Sequence, residues 1–422
     1  MLRKFCALVL TGWLITACAP ANPLDPLPTL IQPLATLTPA PTSPAPALTI
    51  APSPSPTSTS LPPTATPAPP APIAADVRAM QLVARQTGWA LTDQGLWWTT
   101  DGGAHWADIT PPDMASIAGS AVAPIADVVF ITAERGWVIA VQPSPNASEK
   151  ALLTSWRTFD GGQTWQASPV TTLESAPEVV FGGGLRAEVS FADEQTGSVL
   201  VMLIPTMNTR QASWFQTRDG GWTWAQRFVP MGGHLHFVGQ STGWLLGGET
   251  QWVNDQFFVT RDGGFTWKLE PVRLPMAYGE YVRPELTHPD TSVVVVRLSE
   301  GQGLPATTLG FLTSTSLWET WSVTAAFSDP TLENLGMGVR VPVAVIDDEQ
   351  WIVALPAAPW AVTQDGGQTW QRFTPASLLA DQINRISFVT PREGWALTQW
   401  QNGPGQLWAT VDGGRTWRAI LD

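Results

Sequence analysis

The sequence predicts an all-β chain whose body is one seven-bladed β-propeller, and three observations predict it. One turn motif recurs six times at blade-sized spacings, and a degenerate seventh copy fills the single double-length gap. Between the turns, short apolar runs alternate without helical period.

The N-terminus does not belong to that body. Arg3 and Lys4 precede an apolar run from Phe5 to Ile15 that is too short to span a bilayer, followed by Thr16-Ala17-Cys18. This order predicts a signal peptide over residues 1–17. Small residues before a cysteine resemble the lipobox of bacterial lipoproteins, which implies acylation of Cys18 and a membrane partner through that lipid. Cys6, the other cysteine, lies inside the segment to be removed, so the processed chain is expected to carry no disulfide.

Residues 18–75 are almost wholly Pro, Thr, Ser and Ala. Such a segment cannot bury a core, and its prolines favour extended conformations. A disordered stalk is expected, reaching about 3.1 Å per residue. Removing Arg3 and Lys4 leaves 20 basic against 35 acidic residues, a balance of −15. That excludes a nucleic-acid partner, which would need a basic footprint.

From residue 76 to 422 the composition shifts to Trp, Gly, Val and Leu. The repeated unit is Thr-x-Asp-Gly-Gly-x-Thr-Trp, with its aspartate at Asp101, Asp160, Asp219, Asp262, Asp365 and Asp412. The successive spacings are 59, 59, 43, 103 and 47 residues, so a missing copy belongs in the long gap. Ser314-Thr315-Ser316-Leu317-Trp318-Glu319-Thr320-Trp321 supplies it, with Ser316 for the aspartate and Leu317-Trp318 for the glycines. A second landmark gives the same count. An apolar residue or its substitute stands seven positions before a Gly-Trp or its remnant, at Leu82, Phe130, Phe191, Phe237, Glu285, Ala344 and Phe388.

Each motif residue has a structural task. The aspartate accepts backbone N–H bonds across a tight turn, the glycines supply positive φ, and the tryptophan fills the space between blades. The motif, with the upstream Gly88-Trp89-Ala90-Leu91 and Gly394-Trp395-Ala396-Leu397, resembles the Asp-box or bacterial-neuraminidase-repeat propellers. Among these it is most similar to the photosystem II stability and assembly factor family. That resemblance covers about residues 77 to 422 and implies a single propeller acting as a non-enzymatic, protein-binding assembly factor outside the cytoplasm. The shared residues build turns, so they speak for fold more than for function.

A sialidase-like enzyme would need an Arg-Ile-Pro segment and a tyrosine–glutamate nucleophile pair. No Arg-Ile-Pro occurs, and the only tyrosines are Tyr278 and Tyr281, near Glu280 and Glu285. A cell-surface glycan-binding protein or a glycoside hydrolase remains the alternative, the enzyme requiring two carboxylates across a cleft.

Two candidate sites emerge. The third residue before each landmark reads Ala79, Asp127, Glu188, His234, Val282, Val341 and Arg385, and Arg78, Arg186, Arg283 and Arg340 stand nearby. If the first strand of each blade lines a central channel, these residues form a mixed-charge ring near the loops that lead into the blades. Mutual pairing is one reading of that ring. The other is binding of a protein or a carboxylate-bearing peptide through planar guanidinium groups. On the opposite face, Trp222, Phe265 and Trp318 occupy hairpin tips of three consecutive blades, an aromatic surface suited to a protein or glycan. His234 and His236 share one strand face but lack further ligands, so no metal and no cofactor is expected.

Overall fold

The computed structural model describes residues 76–114, 125–144, 147–173, 185–203, 212–247, 256–270, 280–285, 293–299, 306–314, 321–333, 341–356, 359–376, 383–399 and 404–421. The signal peptide, the stalk and Cys18 lie outside them, as do Arg340 and Trp318.

The described residues form seven four-stranded antiparallel sheets, each built from four consecutive strands. The blades span 77–108, 125–173, 185–227, 234–269, 280–328, 343–373 and 383–421. Their innermost strands are Val77–Ala84, Ile125–Phe130, Leu185–Phe191, His234–Val238, Glu280–Glu285, Val343–Val345 and Ile383–Phe388.

No strand is exchanged to close the ring, because the last blade supplies all four of its own. Side chains and backbone close it instead. The Leu82 amide donates to Ser387 Oγ at 3.3 Å, the Gly405 amide to Asp76 Oδ1 at 2.7 Å, and the Trp106 ring lies 5.8 Å from that of Trp395.

The repeated turn joins the third and fourth strands of its blade. In all six full copies a threonine hydroxyl donates to the aspartate Oδ1 at 2.7–2.9 Å. The same oxygen accepts the amide four residues on at 2.8–2.9 Å. The first glycine sits at φ between 65° and 76° and donates to a carbonyl in the turn after the first strand, as from Gly102 to Gln86 at 2.8 Å. That bond fixes both turns on the same face of the ring.

The second glycine is required twice over. At Gly264 the φ is +86°, and a Cβ there would overlap the Trp214 ring of the preceding blade. In blade 5 Ser314 of the third strand pairs with Trp321 of the fourth, and residues 315–320 of the degenerate copy lie outside the described residues.

The core lies between blades. Trp137, fully buried, stacks on Phe191 of the next blade with centroids 3.6 Å apart, and the Trp224 edge closes on the same ring at 6.2 Å. Burying each such side chain contributes about 1.5–3 kcal/mol.

Candidate functional site: the central channel

The innermost strands surround a cavity of about 410 Å³, and their register sorts its lining into two tiers. In the upper tier the described lining residue facing the second strand two places beyond the Gly-Trp tryptophan or its equivalent is Asp127, Glu188, His234, Val343 or Arg385. The lower tier, two residues on, reads Gln81, Val129, Ser190, His236, Val345 and Ser387. Charge is concentrated in the upper tier, at the end away from the Asp-Gly-Gly turns.

Of the two apolar positions expected on the channel, Val341 lines the cavity together with Val343, and the side chain of Val282 lies outside the described ones. The landmark spacing assumes a constant turn between the first two strands. In blade 2 Val129 pairs with Trp137, eight residues on, but in blade 6 Val345 pairs with Trp351, two residues nearer, which places Val343 at the upper tier.

A register shift immediately precedes Ala79, Asp127, Arg283 and Arg385 in four of the strands. Such bulges re-aim the side chain that follows them. Sequence alternation alone carries no sign of them.

Of the eight candidate channel residues, Asp127, Arg186, Glu188, His234 and Arg385 line the one cavity. Arg78 is exposed and is not among its lining residues, and its neighbour Ala79 packs against the core between blades. The side chain of Arg283 lies outside the described ones.

The charges are paired unevenly. Arg186 Nη2 donates to Glu188 Oε1 at 2.5 Å, and His234 Nδ1 lies 3.1 Å from Glu188 Oε2, so blades 3 and 4 are tied through Glu188. Asp127 Oδ1 accepts the Val128 amide at 2.9 Å and Oδ2 the Val189 amide of the next blade at 2.8 Å. The ring encloses Asp127, and this burial, with the nearby Glu188 charge, pushes its carboxyl up to about 7 despite the two amides and the Arg385 charge.

Arg385 differs from Arg186. Its side chain is open to the cavity, yet among the described residues it has no hydrogen-bond or ion-pair partner. Enclosure by the ring lowers its pKa, and the Asp127 charge offsets part of that. A guanidinium stays cationic under such a shift.

The opposite face carries the aromatic candidates. Trp222 and Phe265 are 56% and 61% exposed at adjacent hairpin tips. Trp222 lies over the Arg157 guanidinium of the preceding blade, 3.0 Å from its centroid, and Phe265 has Arg227 at 5.0 Å. Arg157 itself is buried, held by Gln166 Oε1 at 3.2 Å. The sequence reading missed this arginine, although its place in the third strand, one residue before the motif threonine, marks it.

No family model matches the sequence, and no curated protein matches it. Among solved structures, YCF48 bound to a D1 peptide is 18% identical with a TM-score of 0.50, covering 80% of this chain and 94% of that one. YCF48 from Cyanidioschyzon merolae is 17% identical with a TM-score of 0.47, covering 82% and 95%. A GH74 xyloglucanase from Xanthomonas campestris is 15% identical with a TM-score of 0.31, covering 82% of this chain and 64% of that one. At these identities the first likeness shows the propeller fold.

Proposed function

We propose that the protein binds an acidic peptide or a carboxylate-bearing segment of another protein at the upper tier of its channel, and serves as a non-enzymatic scaffold or assembly factor. The observation that carries this reading is Arg385, an exposed guanidinium lining the channel cavity of an acidic protein, with no hydrogen-bond or ion-pair partner among the described residues. At pH 7 Asp127 carries about half a charge. Counting Arg186, Glu188, Asp127 and Arg385, the tier is short of negative charge, and one ligand carboxylate supplies it.

The fold-level likeness to YCF48 with a bound peptide supports a peptide as ligand. The sequence of residues 1–18 adds the expectation that the propeller is held outside the cytoplasm on the Cys18 lipid, with residues 19–75 as stalk.

Glycoside hydrolysis fits less well. Asp127 and Glu188 share the cavity, but both Asp127 oxygens already accept backbone amides and both Glu188 oxygens face Arg186 or His234. Glycan binding at the exposed Trp222 face is a second reading, favoured by an indole with one face covered by Arg157 and more than half its surface open.

The test is equilibrium binding of acetyl-Ala-Ala as free acid and as amide. The acid is expected to bind and the amide to bind at least tenfold more weakly, and Arg385→Gln is expected to remove the difference. Equal binding of acid and amide to the wild type would overturn the proposal.

A further inference from the structure

We infer that a carboxylate bound in the channel pairs with Arg385, and that Asp127 takes up a proton from solvent as this happens. The inference rests on the channel reading above and names how that site is regulated.

The geometry singles out Asp127. Two carboxylates, Asp127 and Glu188, line one cavity with Arg186 and Arg385. Glu188 is already committed to Arg186 and His234, whereas no ion pair ties Asp127 to Arg385. A ligand carboxylate near Arg385 therefore puts a second negative charge beside Asp127 and leaves Glu188 where it is. Like charges in an enclosed site cannot both stay ionised at low cost, so the one with the weaker hold on its charge is protonated.

The other groups that face this region are few. The first strand of blade 1 brings Gln81; blade 3 brings Arg186, Glu188 and Ser190; blade 4 brings His234 and His236; blade 7 brings Asn384, Arg385 and Ser387. Blade 6 brings only apolar residues, and the side chains of the innermost strand of blade 5 lie outside the described ones. His234 is 3.0 Å from Glu188 and so already has its partner.

Proton uptake also suits the chemistry of binding. A neutral Asp127 carboxylic acid no longer repels the ligand's carboxylate, while the Val128 and Val189 amides hold its side chain in place. The charge balance is complete: wherever Asp127 is ionised when the carboxylate enters, one proton follows from solvent, and no other bond changes. With the Asp127 carboxyl at about 7, uptake at pH 7 amounts to about half a proton per ligand, and affinity falls about tenfold from pH 6 to pH 8.

The experiment uses acetyl-Ala-Ala, whose own carboxylate is ionised across that range. Its binding to the wild-type propeller is measured by calorimetry at pH 7 in two buffers of different ionisation enthalpy. Infrared difference spectra are recorded alongside it. The expected result is about half a proton taken up, together with a new carboxylic-acid band. Asp127→Asn is expected to bind with no uptake and His234→Asn with uptake intact.

Binding without uptake overturns this inference and leaves the channel reading standing. Uptake without a carboxylic-acid band assigns the proton to a histidine and also overturns it. If the acid does not bind at any pH from 6 to 8, the channel reading itself fails. The wild-type measurements decide these outcomes even where a variant does not fold.

Discussion

The Asp127 carboxylate accepts the backbone amide of Val189 at 2.8 Å, so a side chain of blade 2 caps the innermost strand of blade 3. The same carboxylate lines the channel with Arg385, which has no hydrogen-bond or ion-pair partner among the described residues. One residue thus joins ring integrity to the chemistry of the site.

Asp127 is expected to make the fold less stable as pH rises from about 4 toward neutrality. An aspartate in the unfolded chain titrates near 3.9, and the folded value is about 7. Between those values the folded state binds more protons, so unfolding free energy declines from about pH 4 to pH 7 and levels off above. Thermal melts should show this slope in the wild type and not in Asp127→Asn. A melting temperature in the wild type that is flat from pH 5 to 7 would contradict it.

The turn aspartates act in the opposite sense. Hydrogen bonds from the Thr266 and Thr369 hydroxyls and amides bring Asp262 and Asp365 down to about 2, despite a small opposing effect of burial. Their contribution is present above the unfolded value and is lost as pH falls from about 4 toward 2. Thr266→Val, which removes the 2.6 Å bond to Asp262 Oδ2, is expected to move the acid-unfolding midpoint to higher pH. No change in that midpoint would show that the turn bond does not bear on the acid limb.

How much of this was legible in the sequence depended on whether a residue acts locally. Asp101-Gly102-Gly103 and its copies form bonds within about five residues, so spacing alone located all six, and Ser314 to Trp321 could be recognised by the flanking residues that survived. The channel tiers depend on turn lengths and on register shifts. A shift precedes Asp127 and Arg385, a shorter turn places Val343 in the upper tier, and no composition signal marks either. Arg157 was overlooked because its burial comes from Trp222 of the next blade, a contact 65 positions away in the chain that periodicity cannot report.

The two exposed aromatics should differ in what they stabilise. Trp222 covers a buried guanidinium whose pKa burial lowers to about 10, partly countered by Asp219. Trp222→Ala is expected to cost about 1–2 kcal/mol by loss of a desolvated cation–π contact. Phe265→Ala, beside the half-buried Arg227 and the exposed Arg218, should cost about 0.5–1 kcal/mol. Chemical denaturation of the two variants checks the order, and a larger loss at Phe265 would contradict it.

Blade cohesion is expected to rest on the tryptophan stacks rather than on the exposed tips. Trp137→Ala empties a fully buried site against Phe191 and removes the indole bond to the Gly220 carbonyl at 3.0 Å. The expected loss is about 3–5 kcal/mol. A variant that unfolds within 1 kcal/mol of wild type would show that the blade interface repacks.

The central claim concerns a place, the upper tier of the channel, and a crystal of the propeller soaked with acetyl-Ala-Ala tests that place most directly. The account predicts difference density inside the ring, with the terminal carboxylate in hydrogen-bond reach of Arg385 and beside Asp127. Density against Trp222 on the opposite face, with none in the channel, would contradict it.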